Sequence, residues 1–266
     1  MATYVFSDVH GHAAPLARAL ERISPSEDDV FYCLGDMIDR GPDPLGVIRA
    51  VRSLPNSHVL MGNHEDLMML CMADPSDEVN AMNWGMNGGV VTSEAIASLS
   101  EEEADELVGW VASLPRAAHV VVGGRPYILV HAGIDPERVT VGEPWDDARL
   151  DELIAEQDPS DLMWIREDFW GASTGLVDEK GEGPIVVAGH TPTPYLDRMG
   201  AELDEPARDP EGRARMVRLG ACEDTAGVAD RWDIDAAAAG GPGFGRVLVL
   251  RLDDGEEFYE DIAEGE

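Results

Sequence analysis

Three stretches decide the fold: Thr3-Tyr-Val-Phe-Ser-Asp-Val-His-Gly11, Val30-Phe-Tyr-Cys-Leu-Gly-Asp-Met-Ile-Asp-Arg-Gly41 and Val59-Leu-Met-Gly-Asn-His-Glu65. Each opens with a short run of β-branched, aromatic or other apolar residues. Each ends on a carboxylate, carboxamide or imidazole beside a glycine. Runs of that length and composition read as strands. Between them, residues 14–23, entered through Pro15, and residues 44–54 read as helices, and residues 65–72 open a third. The alternation is β-α-β-α-β, which predicts the α/β class with a largely parallel core. Asp8, Asp36 and Asn63 then recur about one βαβ unit apart. They belong at one edge of one sheet, the carboxyl end of its strands, where open α/β sheets place their sites.

Further along, residues 73–115 read as irregular helix, with Ser100 and Glu103 spaced as a capping box. Residues 120–122 and 127–130 read as a hairpin around Gly123 and Gly124, with His131 closing its second strand. Residues 146–156 read as helix. Residues 185–188 are a buried strand that delivers Gly189 and His190. Residues 200–230 are polar and punctuated by glycine and proline, an irregular excursion or a long hairpin. Residues 247–252 and 257–259 close the chain as antiparallel strands. No repeat or linker interrupts the pattern. The expectation is one domain over 1–266, with 65–115 as a helical cap within it and 254–266 as an acidic tail.

The bulk chemistry narrows the function. The chain of 266 residues carries 53 acidic against 19 basic side chains, a net charge of −34. Such a surface repels nucleic acid and anionic membrane, and it favours a monomer. Its apolar runs are strand-sized, so none spans a bilayer. The sequence opens directly into a strand without a basic leader, which points to the cytoplasm. Cys33, Cys71 and Cys222 have neither metal-site nor disulfide-framework spacing, and reduced thiols are expected.

The strand-end residues are the side chains that hold divalent metals. Asp8 and His10, at i and i+2, can face one side of a strand end. Asp36 has two oxygens with which to bridge two ions. Asn63 offers a neutral oxygen, and His131 and His190 offer imidazole nitrogens. The predicted sites are Asp8, His10 and Asp36 for one ion, and Asp36, Asn63, His131 and His190 for the other. The set suits Mn²⁺ first and also accepts Fe, Zn²⁺ or Ni²⁺. A water shared by two ions ~3.5–4 Å apart becomes hydroxide near neutral pH, a nucleophile for phosphorus. His64 sits beside a ligand and can act as general acid, with Asp39 fixing its tautomer. Arg40 offers a planar fork for two phosphate oxygens. His12, His58 and His119 fall outside the pattern.

These segments resemble the calcineurin-like metallophosphoesterase superfamily and, within it, the phosphoprotein phosphatase family in its bacterial serine/threonine-phosphatase form. The shared pattern is Gly-Asp-x-His-Gly, Gly-Asp-x-x-Asp-Arg-Gly, Gly-Asn-His-Glu and two later histidines, with Ser7 here in place of the first glycine. The resemblance implies a four-layer β-sandwich of mixed sheets flanked by helices, with the metals at the sheet edge. It also implies that Arg166, in Met163-Trp-Ile-Arg166, is a second phosphate-binding arginine. The run from Trp84 to Gly89 is shared as well, without a stated role. The expected activity is hydrolysis of phosphoserine or phosphothreonine in proteins, or of a small phosphoester, by direct attack of the bridging hydroxide. Asp39 and Glu65 favour that branch over its sibling, the symmetrical diadenosine tetraphosphatases. A non-catalytic scaffold on the same fold is the third reading, disfavoured because all six ligand candidates are present.

Overall fold

The computed structural model describes residues 1–140, 142, 144–203 and 205–266. Its strands, in chain order, are β1 (Thr3–Phe6), β2 (Val30–Cys33), β3 (Ser57–Val59), β4 (Ala117–Val122), β5 (Arg125–Val130), β6 (Ile185–Ala188), β7 (Val217–Leu219), β8 (Arg231–Asp233), β9 (Arg246–Arg251) and β10 (Glu257–Asp261). They form two five-stranded mixed sheets, ordered β10-β9-β1-β2-β3 and β4-β5-β6-β8-β7. The predicted parallel core is present as β1-β2-β3, and a second one, β5-β6-β8, lies in the other sheet. Antiparallel partners flank both cores, β9 and β10 in one sheet, β4 and β7 in the other.

The helices are α1 (Ala13–Ile23), α2 (Pro44–Ser53), α3 (Asn63–Ala73), α4 (Glu78–Trp84), α5 (Val90–Ala97), α6 (Glu101–Ala112), α7 (Asp147–Glu156), α8 (Asp161–Trp164) and α9 (Glu167–Trp170). Strand alternation decides the layers. In β2, Phe31 and Cys33 pack under the first six helices, while Tyr32 points to the other sheet. In β5, Tyr127 and Leu129 meet Tyr32 between the sheets, while Ile128 and Val130 face α7, α8 and α9. The order of layers is therefore helices, sheet, sheet, helices, a four-layer sandwich whose central seam is wholly side chain.

Register sets up the site. Phe6 lies opposite Cys33, and Cys33 opposite Val59, so three parallel strands end flush. Leu129 lies opposite Val187 in the second sheet, which brings the ends of β5 and β6 level too. The third strand lies two residues earlier than its apolar run suggested. The third helix starts at Asn63, because the Glu65 carboxylate accepts the N–H of Gly62 at 3.0 Å and caps the helix there. The predicted box at Ser100 is present: its Oγ accepts from Glu103 N–H, and the Glu103 carboxylate accepts from Ser100 N–H. Residues 254–266 are held by β10 and by Arg18, which reaches Glu260 and Glu266. Residues 220–230 link β7 to its antiparallel neighbour β8, the long-hairpin form of the predicted excursion.

Candidate metal centre and active site

Each candidate ligand follows the carboxyl end of a parallel strand. Asp8 and His10 leave β1, Asp36 leaves β2, and Asn63 follows β3 as the first residue of α3. His131 leaves β5, and His190 leaves β6. The chain bends sharply there. Asp8, His10, Asp36, Asp39, Arg40 and His190 all have positive φ, between 46° and 69°. That left-handed backbone is costly for residues with a Cβ, and it persists where the surroundings over-determine it. Gly35, at φ 102°, shows how tight the packing is: a Cβ there would lie 2.3 Å from the Gly62 nitrogen.

The turns are cross-braced by the ligands themselves. The Asp8 carboxylate accepts the His190 N–H at 2.9 Å, and Asp36 Oδ1 accepts the His64 N–H at 2.9 Å. Glu65 is fully buried, and its two oxygens take the N–H groups of Asp36, Met37 and Gly62. It braces the backbone beneath the site and faces no substrate. Glu65, which the sequence offers as a mark of the protein-phosphatase branch, thus reaches backbone and no substrate-facing position.

Side chains from both sheets converge on one region. Asn63 Oδ1 lies 2.9 Å from His131 Nε2 and 2.8 Å from His190 Nδ1. Asp36 lies 3.5 Å from His10 Nε2 through one oxygen and 3.5 Å from His131 Nε2 through the other. Asp36 therefore belongs to two clusters of possible ligands, one with Asp8 and His131, one with His10 and His64. Asp8 falls on the His131 side in this grouping, while its Oδ1 lies 3.9 Å from His10 Nε2. The sequence places it with His10 and Asp36 and apart from His131.

The donor chemistry fits cations. His10 Nδ1–H donates to Ile38 O and His131 Nδ1–H to Leu34 O, at 3.1 and 3.0 Å, so each Nε2 lone pair points inward. Burial holds His10, His131 and His190 below the usual imidazole pKa, as lone-pair donors rather than cations. Burial, reinforced by Asp8 and Glu65, pushes the Asp36 carboxyl well up. Anionic oxygens thus crowd against neutral imidazoles, an arrangement that bound positive charge would relieve. Already, Arg40 directs one N–H to His10 Nε2 at 3.0 Å and another to His64 Nε2 at 2.8 Å.

His64 is placed differently from the other histidines. Its Nδ1 lies 2.6 Å from Asp39 Oδ2, and both side chains are buried. Asp39 in turn accepts from Trp84 Nε1–H at 3.0 Å and from Thr92 Oγ–H at 2.6 Å. Trp84 and Thr92 were not singled out from the sequence as site residues. Trp84 belongs to the shared run 84–89, to which the sequence attaches no role, and Thr92 follows Trp84 by eight residues. Arg166 is half-buried, and one of its nitrogens donates to His190 O and Thr191 Oγ at 3.2 and 3.1 Å. Its other donors have no partner among the described residues. Two further buried acids lie at the end of β8, Asp233 as its last residue and Asp235 two residues beyond, and neither is among the site residues read from the sequence. The carboxyls of Asp233 and Asp235 are pushed well up by burial and by neighbouring acids. A cleft of about 200 Å³ opens beside His10 and Arg40, walled by Pro192, Tyr195, Asp235 and Phe244. A larger cavity, about 700 Å³, between Asp135 and Gly200 contains none of the converging residues.

The chain is similar to known proteins in sequence and in fold. The symmetrical bis(5'-nucleosyl)-tetraphosphatase of Pectobacterium atrosepticum is 32% identical over 144 residues, 52% of this chain and 45% of that protein. Its counterpart in Vibrio parahaemolyticus is 28% identical over 191 residues, 69% of this chain and 62% of that protein. The chain thus matches about half the length of such curated relatives. A crystal structure assigned as a diadenosine tetraphosphatase superposes with TM-score 0.57 at 18% identity, covering 99% of this chain and 94% of that one. A serine/threonine phosphatase of Saccharomyces cerevisiae superposes with TM-score 0.50 at 14% identity, covering 99% and 80%. These likenesses are of fold. No helix among the described residues is long and apolar enough to cross a membrane. The family model described as calcineurin-like phosphoesterase matches residues 1–220, which include every ligand candidate and both arginines, and the chain belongs to that family.

Proposed function

We propose that this chain is a metal-dependent phosphohydrolase that cleaves a dinucleoside polyphosphate at a phosphoanhydride bond. The observation that carries the reading is the convergence of six ligand-type side chains inside the family-matched span. The names of the curated relatives, symmetrical bis(5'-nucleosyl)-tetraphosphatases, support that substrate class. Asp8, His10 and Asp36 would hold one divalent ion; Asp36, Asn63, His131 and His190 would hold the second, Mn²⁺ among the metals the set accepts. Bound there, the ions supply Lewis-acid charge and lower the pKa of water.

The chain's own residues supply the rest. With a cation held by His10, the Arg40 N–H that now meets His10 would be free for a phosphoryl oxygen, and the N–H that now meets His64 would be released once His64 Nε2 carries the proton. Arg166, anchored through one nitrogen, has its remaining donors for the same oxygens. His64, oriented by Asp39, stands as the proton donor to the leaving oxygen.

The Asp39–His64 pair also favours a second reading, hydrolysis of phosphoserine or phosphothreonine. An alkoxide leaving group needs a proton, whereas a nucleoside diphosphate leaves as a stable anion. A panel with Mn²⁺, with and without chelator, tests both: diadenosine tetraphosphate, a phosphoserine peptide and p-nitrophenyl phosphate. The expected result is chelator-sensitive conversion of the tetraphosphate to two nucleoside diphosphates. Turnover of the peptide without the tetraphosphate would replace the first reading by the second. Inactivity with every metal would leave the scaffold.

A further inference from the structure

Asp39 and Arg40 are adjacent in sequence and point to different tasks, yet one helical segment grips both. Asp39 is fully buried, and its carboxylate sits among donors. His64 Nδ1 lies at 2.6 Å, Trp84 Nε1–H donates at 3.0 and 3.2 Å to its two oxygens, and Thr92 Oγ–H donates at 2.6 Å. The Asp39 N–H donates back to Thr92 Oγ at 2.9 Å, which closes a small ring of bonds. Arg40 is seated by the same segment. Its N–H donates to Gly88 O at 3.2 Å and its Nε–H to Asn87 O at 3.4 Å. A Cβ on Gly88 would lie 2.8 Å from Arg40 Cγ.

The segment is shaped for this. Trp84 ends α4, Thr92 lies in α5, and a wide π-helical turn, Gly85–Gly89, joins them with Gly88 at φ 101°. Such one-turn irregularities recur at functional sites because they re-aim side chains. The Trp84 indole lies so close to Gly89 that a Cβ there would sit 2.4 Å from the ring. Trp84 and Thr92 are buried and, among the described residues, their side chains hydrogen-bond toward the ligand cluster through Asp39.

We propose that Trp84, Gly88 and Thr92 form a positioning bracket. Trp84 and Thr92 lock the Asp39 carboxylate beneath His64, Gly88 seats Arg40, and one segment thereby fixes the spacing between proton donor and phosphoryl-binding arginine. The inference rests on the roles proposed above for His64 and Arg40. A carboxylate held by two further donors keeps one orientation, so the imidazole it holds presents Nε2 to one place. Removing a donor frees the carboxylate to rotate and leaves the metal ligands where they are.

The test uses the Zn²⁺-loaded chain and the variants Thr92→Val, Thr92→Ser, Trp84→Phe, Gly88→Ala and His64→Ala. The first readout is the low-field proton resonance of the short His64–Asp39 bond, identified by its loss in H64A. T92V and W84F should shift it upfield, and T92S should keep it. The second readout is turnover of an alkyl phosphate against p-nitrophenyl phosphate. T92V should lower kcat on the alkyl ester by about ten- to a hundredfold, within the range of general-acid effects, and KM little. On the aryl ester the loss should be less than about threefold, and T92S should restore both. G88A should instead weaken inhibition by inorganic phosphate without a leaving-group signature. An unmoved resonance in T92V, or equal losses on both esters while H64A retains its leaving-group signature, overturns the bracket and leaves the His64 reading standing. An H64A variant with equal losses on both esters removes the His64 reading and the bracket with it. Should W84F fail to fold, the T92V and T92S pair decides.

Discussion

Replacing Asp36 by Asn should stabilise the metal-free chain and abolish its stabilisation by metal. Asp36 is buried, its carboxyl is pushed up first by burial and then by Asp8 and Glu65, and it belongs to both ligand clusters. Asn keeps the oxygen that accepts the His64 N–H and places an amide near the His10 lone pair. The substitution therefore removes a poorly solvated charge at little packing cost. A desolvated carboxylate with partial hydrogen bonding costs on the order of 2 kcal/mol after relaxation, which is roughly 4–8 °C in Tm for a domain of this size. The sign depends on pH. A carboxyl whose folded pKa is raised contributes stability below its unfolded pKa and loses it as pH rises through the folded value. The advantage of D36N without metal should thus vanish near pH 4 and grow as pH rises above the ordinary carboxylate range, so that it is larger at pH 7.5. With Mn²⁺ the order inverts, because the parent gains a ligand shared by two ions and the variant cannot. Differential scanning calorimetry of both proteins, at pH 7.5 and pH 4, with EDTA and with saturating Mn²⁺, reads these differences. A metal-induced rise in Tm equal in D36N and parent would refute the shared-ligand assignment. A lower metal-free Tm in D36N at pH 7.5 would refute the electrostatic account of the cluster.

Three more outcomes follow from particular contacts. Arg40→Ala should lower kcat/KM by about 10²–10³ while two metals remain bound, since Arg40 meets imidazoles but no carboxylate ligand; metal analysis showing one ion lost would contradict this division. Gly35→Ala should cost about 3 kcal/mol or more, seen as a Tm lower by roughly 6 °C, because φ 102° and a backbone atom 2.3 Å from the new Cβ leave no room to relax. Added KCl should raise Tm, because a net charge of −34 repels itself and salt screens the repulsion; a flat or falling Tm between low and molar KCl would show that the acids are locally compensated.

The site was legible in the sequence where its geometry is local. A strand followed after one to three residues by Asp8, Asp36 or His190 fixes where that side chain stands, because a strand end and its turn place it without help from distant chain. The same holds for the pairing of periodicity with layer: Phe31 and Tyr32 go to opposite faces in any sheet that contains them. The parallel order of β1, β2 and β3 also followed from alternation with helices of the right length.

Tertiary structure alone decided the rest. Asn63 meets His131 and His190 across 68 and 127 residues of chain, and only the packing of one sheet on the other brings those strand ends level. Glu65 had the residue type of a site acid, but its helix start turns it inward, where three backbone N–H groups claim both oxygens. Trp84 stood in a shared run without a stated role and Thr92 drew no notice, since Asp39, the carboxylate they hold, lies 45 and 53 residues away. Hydrophobic pattern and strand-end chemistry are properties of neighbouring residues and can be read along the chain. Which buried donor finds which buried acceptor depends on how whole layers close, and no local stretch contains that information.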